Sequence, residues 1–226
     1  MNEHHRTIRT FVRRSGRLTP AQQRALEELW PRWGVPPGDG PLAFEEMFGR
    51  SAPRVLEIGF GNGETLVEQA AANPGQDYLG IEVHEPGVGH CLLALERAGI
   101  DNLRLVAQDA LEILRERVPD GSLARINLYA SDPWLTKRHH QRPIPNDVFL
   151  ELAARKLAPG GHLHVATDWA GYAEHIDEVI ARSEHFRTAE RRRHAGEAPL
   201  ERPTTKFERR GLKKGHAIVD WKLERN

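Results

Sequence analysis

Glu57-Ile58-Gly59-Phe60-Gly61-Asn62-Gly63 joins a short apolar run, residues 55–58, to a helical pattern over residues 63–72. Glycine at this place lets the backbone turn tightly and lets a ligand approach it closely. A dinucleotide fingerprint needs its third glycine at position 64, where this chain has Glu64. A carboxylate there would repel a pyrophosphate. The spacing therefore argues against NAD, FAD or a nucleoside triphosphate as the ligand.

The alternation of strand and helix continues along the chain from Arg54. Apolar strands are predicted at 55–58, 78–83, 103–106, 126–129 and 162–166, with helical patterns between them and two further strands at 185–190 and 216–224. Such units pack as a parallel sheet with right-handed crossovers. We therefore predict an α/β fold, with a doubly wound, mainly parallel, seven-stranded Rossmann-like sheet and helices on both faces.

The first 53 residues differ from this pattern. Residues 1–18 form a basic arm, and a helix is predicted to begin at Thr19-Pro20-Ala21-Gln22, a capping sequence, and to stop at Pro31. A Gly/Pro-rich connector follows. The chain is accordingly divided into an arm with a helix, residues 1–53, and a ligand-binding domain, residues 54–226.

Composition places the chain among globular proteins. It has 226 residues, 32 Lys and Arg, 32 Asp and Glu, and 39% hydrophobic residues. The single cysteine, Cys91, excludes an intrachain disulfide and a cysteine-rich zinc site. The sequence has neither an apolar run long enough to span a bilayer nor the apolar stretch of a signal peptide. A cytoplasmic protein that binds no membrane is therefore expected.

The zero net charge conceals an uneven distribution. Residues 54–131 carry six Arg against twelve acids, whereas residues 186–214 carry ten Lys and Arg against four acids. Further basic clusters lie in the first seventeen residues and at residues 137–142. A single cluster of this kind is usually solvated surface, but three around an acidic centre also suit a polyanion such as a nucleic acid.

Each of the first three predicted strands has an acid at or just after its carboxyl end. Glu57 suits a cationic amino group, Glu82 lies where an acid accepts from both ribose hydroxyls, and Asp109 could accept from an adenine amino group. Together with the glycine turn they describe S-adenosylmethionine, which has an adenosine, an amino-acid end and no phosphate. Asp109 alone could equally be the N-cap of its helix.

The fourth strand is followed by Ser131-Asp132-Pro133-Trp134. The carboxyl end of a central strand is where a doubly wound fold places its reacting groups. In many amino-directed methyltransferases an acid or amide, a proline and an aromatic residue occur here, and the acid or amide accepts a hydrogen bond from the target base. If that base were methylated at a nitrogen that already exposes a lone pair, such as guanine N7, no general base would be needed, and a carboxylate would stabilise the positive charge that develops on the purine. Asp132 is therefore the candidate catalytic residue. The structural alternative is a turn with a buried tryptophan.

These residues resemble the bacterial tRNA (guanine-N7) methyltransferases, which modify guanine 46 of the tRNA variable loop. The resemblance covers nearly the whole chain. The stretches that carry it, besides the glycine turn, are Ile8-Arg9-Thr10-Phe11-Val12-Arg13-Arg14-Ser15-Gly16-Arg17, Gly80-Ile81-Glu82-Val83-His84, Ala166-Thr167-Asp168-Trp169 and Arg202-Pro203-Thr204-Thr205-Lys206-Phe207-Glu208.

The resemblance implies a role for each matching residue. S-adenosylmethionine would be bound by Glu57, Gly59, Gly61, Gly63, Glu82, Asp109 and Asp132. The substrate guanosine would be contacted by Thr136, Lys137, Asp168, Thr205, Lys206, Phe207 and Glu208. The family needs no metal and occurs as monomers and homodimers, so no metal site is expected and either state is open.

The loop after the fourth strand departs from the family pattern. Ala130-Ser131 replaces an aromatic and a proline, and Leu135-Thr136 replaces His-Lys, so that the substrate-contacting lysine falls on Thr136. Two alternatives therefore stay open beside tRNA methylation. One is an RNA-binding paralogue with weak or no methyl transfer, and the other is a methyltransferase with a different nucleic-acid substrate. A nicotinamide-dependent oxidoreductase would rest on the fold alone, and Glu64 argues against it.

Overall fold

The computed structural model describes residues 16–129, 144–196, 199–200 and 202–226, with the backbone but not the side chain of Phe207. A seven-stranded sheet forms its centre. The strands are β1 (Arg54–Ile58), β2 (Asp77–Ile81), β3 (Leu103–Val106), β4 (Leu123–Tyr129), β5 (Leu157–Thr167), β6 (Phe186–His194) and β7 (Ile218–Arg225).

The strands lie in the order β3-β2-β1-β4-β5-β7-β6. The first five pair in parallel, whereas β7 runs antiparallel to both β5 and β6. The predicted mainly parallel, seven-stranded α/β fold is confirmed. The order reverses at β1, since β2 lies on one side of it and β4 on the other. In doubly wound folds a ligand binds outside the carboxyl ends of the strands at such a reversal.

Helices connect the strands and cover the sheet. They are α1 (Pro20–Glu28), α2 (Trp30–Trp33), α3 (Phe44–Phe48), α4 (Glu64–Ala72), α5 (Glu85–Ala98), α6 (Ala110–Glu116), α7 (Asp147–Lys156), α8 (Ala170–Ala181) and α9 (Lys206–Lys213). The sequence pattern did not predict α2, α3 or α9. α2 and α3 have four and five residues, which is too short for a helical period to show, and α9 has only eight residues.

The start of α1 follows the prediction and its end does not. Thr19 accepts from the backbone N–H of Gln22, whose side chain accepts from the N–H of Thr19, which confirms the capping box. The predicted stop at Pro31 is wrong, because α1 already ends at Glu28 and Pro31 lies in the first turn of α2. A proline is tolerated there because the first N–H groups of a helix have no intrahelical partner.

The N-terminal helices pack against the outer strands and α5. The side-chain amide of Gln22 donates to the carbonyl of Pro86 at 2.9 Å, and Gly89 gives α1 room, because a Cβ there would lie 2.9 Å from Cβ of Gln22. Val35 N–H donates to the carbonyl of Leu105 on β3 at 2.8 Å. Residues of this region thus share the hydrophobic core of the sheet, and the boundary at residue 53 stays a prediction.

β5 begins at Leu157, five residues before the predicted strand at 162–166. The pairing of β4 with β5 shifts register between Leu123 and Arg125, so that Leu123 pairs with Leu157 and Arg125 with His162. The additional residues on β5 form an irregularity in the ladder, which accommodates the proline and glycines of this stretch.

Candidate active site

The carboxyl ends of β1, β2 and β3 lie side by side. Ile58 pairs with Ile81, and Ile81 pairs with Val106. The ladder continues one residue further, since Gly59 N–H donates to the carbonyl of Ile81 and Glu82 N–H donates to that of Val106. The glycine turn and Glu82 are therefore neighbours at the edge where the strand order reverses.

All three glycines of the turn adopt the left-handed backbone conformation. Their φ angles are 71° at Gly59, 60° at Gly61 and 74° at Gly63. Gly63 is also packed closely, because a Cβ at that position would lie 2.3 Å from Sγ of Cys91 and 3.3 Å from its Cα. The turn thus needs glycine for its conformation at all three places and for space at Gly63.

Substitution of Gly63 by alanine is expected to lower the free energy of unfolding by about 2–4 kcal/mol. Two costs add: alanine is strained in the left-handed backbone conformation, and its Cβ would overlap with Cys91. Gly59→Ala is the matched control, because its φ is also positive but nothing lies within 4 Å of a Cβ there. It should cost only the strain, about 1–2 kcal/mol. Urea unfolding measures both variants, and equal losses would contradict a role for the Cys91 contact.

Glu57 lies at the base of this turn and is 4% exposed. Burial raises the pKa of Glu57 to about 7, against the opposing charges of Arg125 and Arg202. Its carboxylate accepts a hydrogen bond of 3.3 Å from the side-chain amide of Gln69. A buried carboxylate with so raised a pKa would be stabilised by a cationic group bound beside it.

Glu82 is held in place by the backbone. One carboxylate oxygen accepts from the N–H groups of Val83 and His84 at 2.7 and 2.9 Å, and the other accepts from Gly61 N–H at 2.9 Å. The last contact joins the second strand's acid to the glycine turn. Because this carboxylate is fixed by three backbone donors, it is preorganised to accept further bonds from a diol.

Asp109 is the N-cap of α6. Its carboxylate accepts from the N–H groups of Leu111 and Glu112 at 2.9 and 3.0 Å, and the residue is 8% exposed. The structure thus shows the capping role that the sequence left open for this residue. Its predicted contact with an adenine amino group stays a prediction.

A cavity of about 290 Å³ opens beside the glycine turn. Three predicted cofactor residues line it, Glu57, Gly59 and Gly63, and so do two predicted substrate residues, Thr205 and Lys206. The remaining lining residues are Phe60, Asn62, Glu64, Thr65, Tyr129 and Arg210. The structure therefore brings these five predicted residues to one cavity, although the two groups are some 140 positions apart in the chain, whereas Gly61, Glu82 and Asp109 are not among the lining residues.

The start of α9 brings Thr205 and Lys206 to this cavity. Thr205 caps the helix by accepting from the N–H of Glu208, and the Glu208 carboxylate accepts from the N–H of Thr205 at 2.7 Å. Glu208 is 1% exposed and forms a two-pronged ion pair with Arg202. Its carboxylate is thus occupied within the protein, and its predicted contact with guanosine stays a prediction.

Arg202 belongs to a buried network centred on Asp220 of β7. Asp220 is 0% exposed and accepts from Arg202 at 2.7 and 2.8 Å, from His164 at 2.9 Å and from His194 at 2.9 Å. Burial works to raise the pKa of Asp220, but its hydrogen bonds with His164, Arg202 and His194 outweigh it and hold the pKa below its ordinary value.

The same network reaches the cavity through Tyr129. The guanidinium carbon of Arg202 lies 4.5 Å from the centre of the Tyr129 ring, and the Tyr129 hydroxyl donates to Nδ1 of His164 at 3.3 Å. Burial lowers the pKa of His164, which favours the neutral ring that accepts at Nδ1 and donates from Nε2 to Asp220. β4, β5, β7 and α9 are thereby tied together behind the cavity.

Two further predicted substrate residues are Asp168, which packs against α9, and Phe207, which belongs to it. Oδ2 of Asp168 lies so close to Gly211 of α9 that a Cβ there would be 2.5 Å from it, and the same oxygen lies 3.5 Å from Nδ1 of His216. Asp168 is not among the residues that line the cavity. Phe207 follows Lys206 in α9, and its side chain lies outside the described part of the chain.

Asp132, Thr136 and Lys137 lie in residues 130–143, outside the described residues. The stretch begins directly after Tyr129, the last residue of β4, and Tyr129 lines the cavity. Asp132 therefore follows a cavity-lining residue by three positions in the sequence, and its proposed catalytic role stays a prediction.

Several site residues were not identified from the sequence. Tyr129 and Arg210 line the cavity. Arg202 and Asp220 do not line it, but Arg202 donates to Asp220 and lies over the Tyr129 ring. Tyr129 could have been found as the last residue of a strand that ends at the ligand edge. Asp220 gave no signal, because its partners His164, His194 and Arg202 are distant in the sequence.

Among residues 16–129, 144–196, 199–200 and 202–226, no helix combines the length and the apolar character that a bilayer crossing requires. Within the same ranges, no three His, Cys, Asp or Glu side chains cluster so that they could hold a metal ion.

Comparison with known proteins gives relatives over nearly the full length. Residues 51–221 match a family model described as a putative methyltransferase. The tRNA (guanine-N(7)-)-methyltransferase of Halorhodospira halophila is 55% identical, covering 95% of this chain and 94% of its own length. The protein of the same name from Alkalilimnicola ehrlichii is 54% identical, covering 95% and 91%.

A solved structure shares the fold. An antibiotic-related methyltransferase superposes with a TM-score of 0.58 and 13% identity, covering 80% of this chain and 92% of its own. At this identity the likeness concerns the fold alone.

Proposed function

The chain belongs to the tRNA (guanine-N(7)-)-methyltransferase family, and from that membership we propose that it methylates N7 of guanine 46 in the tRNA variable loop with S-adenosylmethionine as donor. The enzyme is a tRNA (guanine-N7)-methyltransferase. The position in the tRNA, the donor and the residues that bind them are the proposed part. The cytoplasm is the proposed location, because tRNA is the substrate.

The observation that carries the donor assignment is the buried carboxylate of Glu57 beneath a left-handed glycine turn, with Glu82 fixed beside it. Glu57 would bind the cationic amino group of S-adenosylmethionine, and Glu82 the ribose hydroxyls. Gly59, Gly61 and Gly63 would let the donor approach the backbone. Asp109, as the N-cap of α6, would complete the adenine side of the site.

S-adenosylmethionine supplies a methyl group bonded to a positively charged sulfur. The lone pair of guanine N7 forms the new carbon–nitrogen bond as the carbon–sulfur bond breaks, so the positive charge passes from sulfur to the purine. The protein must hold N7 in line with the methyl group and stabilise the new charge. Asp132, which follows Tyr129 at the cavity, is the residue to which we assign that stabilisation.

The guanosine side of the proposed site is formed by the start of α9 and the loop after β4. Thr205 and Lys206 line the same cavity as Glu57. Asp168, Phe207 and Glu208 would also contact the guanosine, as the family resemblance implies. Thr136 and Lys137 would contact the substrate from the loop.

The affinity for S-adenosylmethionine is expected to depend on pH through Glu57. Below the pKa of about 7 the free carboxyl is protonated and neutral, so it no longer attracts the donor's ammonium group. The affinity should fall about tenfold per pH unit below that value and level off above it. Calorimetric titration from about pH 5.5 to 8.5 measures the affinity. Glu57→Gln is the control, which should bind the donor weakly and with an affinity that does not change around pH 7. A flat wild-type profile would contradict the assignment.

The activity is tested by methyl transfer from labelled S-adenosylmethionine to unmodified tRNA. The modified nucleoside is identified by mass spectrometry and its place by nuclease mapping. We expect 7-methylguanosine at position 46. The same nucleoside at another position would correct the assignment of guanine 46. Binding of the donor and of tRNA without formation of product would favour the RNA-binding paralogue. That alternative is based on Leu135-Thr136, which replaces the family's His-Lys.

A further inference from the structure

Exposed cations concentrate on α9. Lys206, Arg209, Arg210 and Lys213 are exposed on the helix, and so is its C-cap, Lys214. The opposite side of the helix is turned to the protein and carries Glu208, Gly211 and Leu212, which are buried or half-buried. The helix therefore presents a basic face to solvent from a fixed position.

Four of these cations lie along one stripe. Lys206, Arg210, Lys213 and Lys214 are spaced at i, i+4, i+7 and i+8, which places them on one face of a helix. The stripe begins at the cavity, which Lys206 and Arg210 both line. With a rise of 1.5 Å per residue the stripe is about 12 Å long. Lys213 and Lys214, at its far end, are not among the residues that line the cavity.

The stripe also lacks acidic partners. Within the described residues, none of its four cations forms an ion pair, and the neighbouring Arg209 reaches Glu64 only at 4.0 Å. Elsewhere in the described residues, seven exposed arginines are paired with an acid. The pairs are Arg32–Asp101, Arg50–Asp77, Arg155–Asp120, Arg182–Asp147, Arg187–Glu224, Arg191–Asp177 and Arg192–Glu190.

Unpaired cations in a row attract a polyanion, and the spacing of the row suits more than one phosphate of a nucleic-acid strand. The one acid on α9, Glu208, is buried against Arg202 and does not compete. Resting on the proposed function, we propose that the stripe Lys206, Arg210, Lys213 and Lys214 binds the phosphate backbone of the tRNA beside the target guanine. It positions the tRNA without reading its bases.

The test removes the part of the stripe that lies farthest from the cavity. The double variant Lys213→Gln with Lys214→Gln is compared with Arg97→Gln with Arg115→Gln. Arg97 and Arg115 are also exposed and without an ion pair among the described residues, but they lie in the last turns of α5 and α6. Those helices begin at the carboxyl edge of the sheet, so their last turns lie at the opposite edge.

In the stripe variant we expect KM for tRNA to rise about tenfold near 0.15 M salt. The slope of its logarithm against the logarithm of salt should fall by about 2, one for each phosphate contact. The affinity for S-adenosylmethionine and the thermal midpoint should match those of the control. Equal KM values and salt slopes in both double variants would overturn the proposal.

Failure of the proposed function gives a different result. If the wild type forms no 7-methylguanosine, filter binding of tRNA to the same two double variants still measures the stripe. Salt-sensitive binding that is lost only in the Lys213 and Lys214 variant supports the stripe even then. Binding that is unchanged in that variant overturns it, whether or not methyl transfer occurs.

Discussion

Replacement of Arg202 by methionine is expected to lower the free energy of unfolding by about 3–5 kcal/mol, because two buried carboxylates then lose their counter-charge. Arg202 donates to both Asp220 and Glu208, and the three side chains are at most 1% exposed. Urea unfolding measures the loss. Arg209→Met, a change at an exposed arginine of the same region, should alter stability little.

A double-mutant cycle separates the ion pair from the packing of Arg202. Glu208→Gln removes one of the stranded charges yet keeps a side chain that completes the capping box at Thr205. Arg202→Met combined with Glu208→Gln should therefore be more stable than the sum of the single losses predicts, by about 0.5–3 kcal/mol. If the losses in the free energy of unfolding are strictly additive, the ion pair between Arg202 and Glu208 contributes nothing to stability beyond the packing of the two side chains.

The loss of Arg202 should also reach the cavity. Arg202 lies over the Tyr129 ring, and Glu208 fixes the start of α9, where Thr205 and Lys206 line the cavity. At a temperature where the variant is still folded, we expect KM for tRNA to rise more than the Kd for S-adenosylmethionine. The reason is that the network holds the substrate side of the cavity rather than the glycine turn.

Replacement of Asp132 by alanine is expected to lower the rate of methyl transfer by about 10²- to 10³-fold, the cost of removing one group that stabilises charge in the transition state. Affinity for S-adenosylmethionine should stay within a few-fold, because Glu57 and Glu82 supply the main charged contacts with the donor. Single-turnover transfer of a labelled methyl group measures the rate, and calorimetry measures the affinity.

Two controls accompany the Asp132 variant. Asp132→Asn keeps a hydrogen-bond acceptor but removes the negative charge, so it distinguishes orientation of the base from stabilisation of the charge. Asp39→Ala, at an exposed residue of the connector between α2 and α3, should be as active as the wild type. Undiminished transfer by Asp132→Ala would remove this residue from the mechanism.

The elements that the sequence predicted are those whose signal is local. The glycine turn, the capping box at Thr19 and the strands β1 and β3 depend on residues within a few positions of one another. Backbone conformation at such places is set by the residue itself, because only glycine adopts a positive φ without strain. Repetition of strand and helix then leaves few topologies for the sheet.

What only the tertiary structure determined is which distant residues meet. The sequence placed Glu57 before the glycine turn and Thr205-Lys206 near the C-terminus, but only the packing of α9 beside the sheet brings them to one cavity. Asp220 has no local signal, since its role exists only where His164, His194 and Arg202 surround it. A buried charge is stable only with such partners, and the fold alone brings them together.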